Sequence, residues 1–445
     1  MAVADKANPA QRMKMRYGFN EVSGWWTISI GEHAAKVRDR LRLMDTSVVR
    51  VFAFDLSTPD PVRNWRQFSA YVQGVLDAGA VPMITFAKFP APYDDVANLR
   101  TFVTRCSEIV WGCLEQWGPE RVKTWYWGIW NEPNNVTIGG GLSFEQYKRI
   151  YEAVAHEIAA QLAPHLGGRK PLIGGPAVDG SHSMFWMDWV ARLVEEVDDR
   201  LVSFVTWHTY GDWRPGVPAA TVGKELWGLP DAPHGNTYQS LLMAQTPSYE
   251  ARARGVARLL EGRDIRNFCG ELNTIAHQEN NYALGLNQNL FGAAYYASAL
   301  IHLIRGGAEL EMRWTGAGPD DAYGLMNAKG ELHAAGLAKQ LFVQHVRFGD
   351  WLHFPDMRGV VAGVVAVVAW NEQGRRSAVF VNTSAKPVKL TVAAWDDRFK
   401  SDDMVLKLDG GTGNRIARER FDGTVSLAGY GIAVVSNGGD TTIID

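Results

Sequence analysis

From residue 16 to residue 345 the chain alternates short β-rich runs with segments of helical period, eight times over. That rhythm restricts it to parallel strands covered by helices, an α/β fold. The runs are RYGFN from Arg16, VVRVFAF from Val48, VPMITFA from Val81, WYWGIWNE from Trp125, LIGGPAV from Leu172, SFVTWHTY from Ser203, NFCGEL from Asn267 and LEMRWTG from Leu310. Between them lie segments such as the one from Phe144, where Tyr147, Ile150, Tyr151, Val154 and Ile158 recur on one helical stripe. Eight such units fit a closed (β/α)8, or TIM, barrel with insertions. An open doubly wound sheet would alternate in the same way, but no GxGxxG follows the first run and no phosphate loop occurs.

The rhythm changes after residue 348. VVAGVVAVVAW, SAVFVNTS, KPVKLTVAAW, MVLKLDGG and LAGYGIAVVS are alternating or apolar runs divided by turn residues, with no helical stripe among them. They predict a C-terminal antiparallel β-sandwich. At 445 residues the chain also exceeds the size at which one core stops growing. The expected division is a barrel over residues 1–348 and a sandwich over 349–445. The longest connection, Asp212 to Pro247, is rich in Gly and Pro, and connections of that length commonly form binding walls or lids.

Composition excludes several partner classes. With 45 Lys plus Arg against 48 Asp plus Glu, the net charge is −3, so no basic field exists to gather nucleic acid or anionic lipid. No stretch of 18 apolar residues occurs, and the first residues lack the apolar run of an export leader. The expectation is a soluble cytoplasmic protein, or a secreted one if a leader has been removed; oligomeric state is not legible. Cys106 and Cys113 lie seven apart on one helix, about 10 Å, too far to bridge. The 11 His include no HExxH and no acidic cluster has calcium-loop spacing, so neither a metal nor any other cofactor is expected.

The residues that can carry chemistry sit at strand ends. In a barrel the C-terminal ends of the strands open onto the active face, and WGIWNEPN, Trp127 to Asn134, ends the fourth run there. Glu132 among tryptophans is a carboxyl whose surroundings favour the protonated form, able to protonate a departing oxygen. Strict alternation would point Asn131 and Glu132 to opposite faces, so the strand end must bulge or twist if both reach one pocket. Alone, Glu132 would as readily cap a helix. Glu271, in FCGELNT at the end of the seventh run, changes that reading. Two carboxyls about 5 to 5.5 Å apart are what a double-displacement glycosidase uses.

WNEPN around Glu132, ELNT around Glu271, HTYG after the sixth run and RWTG after the eighth resemble clan A glycoside hydrolases, most closely family 39, the β-xylosidase and α-L-iduronidase group. The resemblance extends over nearly the whole chain, since that family also joins a barrel to a β-sandwich. It implies retention of configuration, with Glu132 as general acid/base and Glu271 as nucleophile. The family often carries an aromatic just after the nucleophile; Leu272 stands there, a departure that bears on substrate more than on mechanism.

Several further residues are candidates for substrate binding. Asn131 offers an amide to a sugar 2-hydroxyl. His208 and Tyr210, two apart on one face, are placed to hydrogen-bond the nucleophile and hold it ionised. Arg50, inside an apolar strand, needs a carboxylate partner, and Glu271 is the one expected. Trp314 closes the eighth strand as a floor for a sugar ring. Trp130, Trp213, Trp25 and Trp26 are further aromatic candidates, and Lys88 is a possible contact to an acidic or hydroxyl-rich sugar. Of the remaining tryptophans, Trp186 with Trp189 and Trp111 with Trp117 are expected in the core. The reading is a retaining glycosidase acting on carbohydrate, exo-acting and β-xylosidase-like. The alternatives are an endo-acting exopolysaccharide hydrolase with an open groove, and a catalytically dead carbohydrate-binding barrel.

Overall fold

The structure, a computed structural model, describes residues 10–20, 25–54, 62, 64–181, 185–211, 237–276, 285–318, 323–357, 360–392, 399–412 and 415–437; of Trp25 and Trp26 only the backbone is described. Trp213 and residues 212–236 of the long connection lie outside that set.

A two-residue strand, β1 (Gln11–Arg12), precedes the eight expected strands. These are β2 (Arg16–Asn20), β3 (Thr46–Ala53), β4 (Val81–Phe86), β5 (Tyr126–Ile129), β6 (Ile173–Asp179), β7 (Phe204–Tyr210), β8 (Arg266–Asn273) and β9 (Leu310–Trp314). All pair in parallel in sequence order, and β2 pairs with β9 to close the barrel. Helices cover it as the periodicity required. In Phe144–Leu166 the stripe Tyr147, Ile150, Tyr151, Val154 and Ile158 is buried, and Ser143 with Gln146 forms a capping box at its start. The three cysteines are buried free thiols. Among the described residues, no helix is long and apolar enough to cross a membrane.

Inside the barrel, alternate residues point inward. The floor is apolar: Val48, Met83, Tyr126, Phe204, Phe268, Leu310 and Met312 form one buried cluster. One level higher the interior becomes small and polar, and this makes room for the site. A Cβ on Gly128 would sit 2.7 Å from Thr85 Oγ1, and one on Gly270 would sit 2.0 Å from Thr206 Oγ1. Glycine at these two positions is what lets polar side chains of neighbouring strands occupy the lumen.

Two short strands, β10 (Ala317–Gly318) and β11 (Met326–Asn327), follow the barrel. The C-terminal region then forms β12 (Trp351–His353), β13 (Val364–Trp370), β14 (Arg376–Asn382), β15 (Val388–Thr391), β16 (Met404–Leu408), β17 (Ala417–Arg420), β18 (Thr424–Leu427) and β19 (Ile432–Ser436). One sheet runs β1-β12-β13-β14-β19-β16-β17, and β15 with β18 makes a second. Both faces of the large sheet are covered. Ala366, Val368, Phe380, Val405 and Val435 belong to the core between the two sheets, whereas Val367, Val379, Leu406 and Val434 join the main core of the barrel. Strands buried on both faces read as continuous apolar runs, which is why the sequence here lacks clean alternation. Helices Leu290–Gly306 and Ala334–His345 are buried almost all round for the same reason. The division at residue 348 needs one amendment: Gln11–Arg12 pairs with β12, so the sheet takes its edge strand from ahead of the barrel.

Candidate active site

Glu132 and Glu271 meet at the open end of the barrel, 7% and 4% exposed. One oxygen of each lies within 4.8 Å of the other, with a ring nitrogen of His208 in the same cluster. The backbone after β5 explains how Glu132 arrives there. Trp130 and Glu132 take positive φ values of 73° and 48°, a left-handed conformation unusual outside glycine. The Trp130 amide still pairs with β4 at Phe86 O and the Asn131 amide with Ala87 O just past its end, while the Glu132 amide turns to Ala177 O on β6. The alternation of the strand is broken at that point, and Asn131 and Glu132 both reach the pocket. On the opposite wall a register shift between Cys269 and Leu272 sets Glu271 into the lumen.

Arg50 organises the site. Its guanidinium, 1% exposed, donates from Nη1 to Glu271 Oε1 at 2.6 Å, from Nη2 to Asn131 Oδ1 at 2.7 Å, from Nε to Thr85 Oγ1 at 3.0 Å and from Nη1 to Asn20 Oδ1 at 3.3 Å. Tyr210 donates its hydroxyl to Glu271 Oε2 at 2.6 Å. His208 departs from its expected partner: Nδ1 lies 2.8 Å from Glu132 Oε1, and Nε2 lies 3.5 Å from Glu271 Oε1 and 3.4 Å from Arg50 Nη1. It bridges the two carboxyls instead of serving Glu271 alone, because Glu132 turns in toward β7. Asn135 Nδ2 donates to Glu132 Oε2 and to Asp179 Oδ2, both at 3.1 Å.

Burial sets the protonation states. It pulls His208 down to about 4, helped by the Arg50 charge and opposed by Glu271 and Asp179, so the imidazole is neutral near pH 7. Burial also pushes the Glu271 carboxyl above its ordinary range, while His208, Arg50 and the Tyr210 hydrogen bond pull it back and the Glu132 charge adds to the rise. The Tyr210 hydroxyl is held well above its usual value, by burial first and then by the Glu271 charge, and remains a donor.

The other candidates divide. Trp314 is partly buried at the rim, its ring edge-on to Phe52 with centroids 6.0 Å apart, and Phe52 in turn packs under the Arg50 guanidinium. Trp130 is fully buried, bonds Gly139 O through Nε1 and packs on Phe89, Tyr93 and Phe102, so it supports the strand end and does not reach the pocket. Lys88 donates to Ile138 O at 2.9 Å, tying two loops. Trp186 is buried and Trp189 packs on the core, but Trp111 is 57% exposed, against expectation. Asn20, Thr85, Asn135 and Asp179 are the polar residues that sequence reading missed. Asn20 and Asp179 end strands, the only signal they gave.

Glu132, His208 and Glu271 are close enough to share a metal ion. Arg50 argues against it, since a guanidinium nitrogen already stands 2.6 Å from Glu271 Oε1 and 3.4 Å from His208 Nε2. A cation there would face a buried like charge.

No known family profile matches the chain. A β-xylosidase of Geobacillus stearothermophilus is 31% identical over 104 residues, a match that spans 23% of this chain and only 19% of that protein. Among solved structures, a monomeric β-xylosidase from Caulobacter crescentus superposes with a TM-score of 0.63 at 16% identity, covering 95% of each chain. A GH39 enzyme from Xanthomonas axonopodis pv. citri gives 0.62 at 15% identity over 95% of this chain and 93% of its own. A family 51 α-L-arabinofuranosidase from Bifidobacterium longum gives 0.65 at 13% over 98% and 97%. The whole-chain likeness is one of fold: this chain has the architecture of those β-xylosidases and arabinofuranosidases.

Proposed function

We propose that the chain is a retaining β-glycosidase, exo-acting and β-xylosidase-like, with Glu271 as nucleophile and Glu132 as general acid/base. The observation that carries this reading is the pair of buried carboxyls with oxygens within 4.8 Å at the barrel mouth. That spacing suits double displacement, whereas inversion needs about 6.5 to 9.5 Å to admit a water. The 31% identical stretch shared with a β-xylosidase supports the choice of sugar.

In the proposed reaction the Glu271 carboxylate attacks the anomeric carbon while Glu132 gives its proton to the leaving oxygen. Glu132 then takes a proton from the water that releases the sugar. Arg50 and Tyr210 each donate to a different Glu271 oxygen, which orients the carboxylate and favours its charged form. His208 serves Glu132 in both of its states. With its proton on Nε2 it accepts from the carboxylic acid, and with its proton on Nδ1 it donates to the carboxylate. Arg50 occupies Asn131 Oδ1, which leaves the amide NH2 to meet a 2-hydroxyl.

Hydrolysis of an aryl β-xyloside followed by proton NMR tests the reading. Glu271-dependent release of the β-anomer as first product is expected. First release of the α-anomer, or turnover that survives Glu271→Ala, would overturn it.

A further inference from the structure

Trp111 stands on the outer face of helix Val96–Trp117, 57% exposed, an indole that pays no part in the core. It does not stand alone. A groove of about 520 Å3, within the range typical of small-molecule sites, runs beside it and is walled by Trp65, Glu108, Gly112, Glu115 and Gln116. Glu108 and Glu115 lie three before and four after Trp111, so their carboxylates flank the indole on one helical face. Trp65, half-buried, donates from Nε1 to Gln116 Oε1 at 2.9 Å, which fixes the second aromatic wall. Gly112 is what admits that ring: a Cβ there would come within 2.8 Å of it. Among the described residues, neither Glu108 nor Glu115 forms an ion pair, so both keep their lone pairs for outside donors.

We propose that this groove is a second carbohydrate site, separate from the barrel mouth, which takes a pyranose unit of a neutral β-linked polysaccharide. The inference rests on the glycosidase reading above for the class of ligand. The chemistry of the groove selects within that class. A flat exposed indole matches the C–H face of a pyranose, and two acceptor carboxylates match its equatorial hydroxyls while repelling an anionic chain. The same carboxylates disfavour a second copy as occupant. Two-fold apposition of the patch on itself would set Glu108 and Glu115 against their own equivalents.

The test is affinity electrophoresis of the wild type and Trp111→Ala in gels containing soluble xylan, mixed-linkage β-glucan or glucomannan. Activity on an aryl β-xyloside and mass by light scattering are measured alongside. The wild type should be retarded by at least one polysaccharide, with an apparent affinity about fivefold or more above that of the variant, and aryl xyloside kcat/KM should be unchanged. Retardation driven by the barrel mouth is common to both proteins and cancels. Equal retardation of the two, retardation by no polysaccharide, or a dimer that Trp111→Ala converts to monomer would each overturn the proposal. If retardation depends on Trp111 but the wild type hydrolyses no aryl xyloside, the groove stands and the catalytic reading falls.

Discussion

Two buried ion pairs among the described residues of the barrel are of opposite design. Arg50 and Glu271 meet inside the lumen, at 2.6 Å, with side chains 2% and 5% exposed. Lys339 and Glu311 meet outside it, at 3.1 Å, both at 0%, between β9 and helix Ala334–His345. The outer pair is closed off: Lys339 also donates to Gly18 O at 2.7 Å, and Tyr296 caps Glu311. The inner pair opens on a second carboxyl and a half-exposed Asn131. Desolvation makes each pair costly, and removal of one partner leaves an unpaired buried charge. The difference is that the outer charges are used up by the fold, while the inner ones line the pocket in which, on the proposed function, substrate charge develops.

That contrast can be broken most sharply at Glu271. Glu271→Ala should lower turnover on the order of 10^4-fold or more, with an unchanged circular dichroism spectrum; residual turnover near the wild-type level would remove the nucleophile assignment. Glu132→Ala comes next. It should reduce kcat/KM by about 10^2 to 10^4 for alkyl glycosides and spare aryl glycosides with acidic leaving groups. Equal losses on both kinds would show that Glu132 is no proton donor. At the outer pair the expected loss is of stability: Lys339→Met strands Glu311 and should cost about 3–5 kcal/mol in urea unfolding, with Glu311→Gln as a second change restoring part of it. A loss of activity per folded molecule, with stability intact, would erase the distinction between the pairs.

Smaller effects sharpen the picture of the inner pair. Tyr210→Phe removes a charge-assisted hydrogen bond and should lower kcat about tenfold. Because that bond pulls the Glu271 pKa down, its loss should move the acid limb of kcat/KM to higher pH. The smallest effect is on stability against pH. His208 is depressed from 6.5 to about 4 in the folded state. Below pH 6.5 the unfolded chain therefore binds a proton that the native state refuses. Its contribution is complete above 6.5 and is lost as pH falls toward 4, about 1 kcal/mol of it between pH 6.5 and 5.5. Glu271, raised by burial, acts with the opposite sign and offsets part of this. A His208 ring resonance that titrates near pH 6.5 in the folded protein, followed by NMR against a His208→Gln spectrum, would mean that His208 is not held neutral.

Much of the fold was legible because it is written in short-range periodicity. All eight barrel strands fall within a few residues of their expected positions, and the helical stripe from Tyr147 is buried as drawn. Aromatic residues were the weakest point of the reading. Trp130 and Trp111 exchanged roles, one lost in the core and the other on the surface, because helical spacing and strand ends give a tryptophan no direction. The left-handed turn at Trp130 and Glu132 has no signal in residue type, since neither is glycine.

The sequence by itself determined the alternation of strands and helices, the carboxyls at the ends of two strands and the need of Arg50 for a partner, because each follows from local pattern or from the cost of burying a charge. Tertiary structure alone decided that His208 spans both carboxyls, that Asn135 and Asp179 stand behind Glu132 and that Trp111 faces outward with Trp65 beside it. Apart from Asn135 and Glu132, three residues apart on the turn after β5, those contacts join residues far apart in the chain, and they depend on where barrel closure, strand register and two positive φ angles set each side chain.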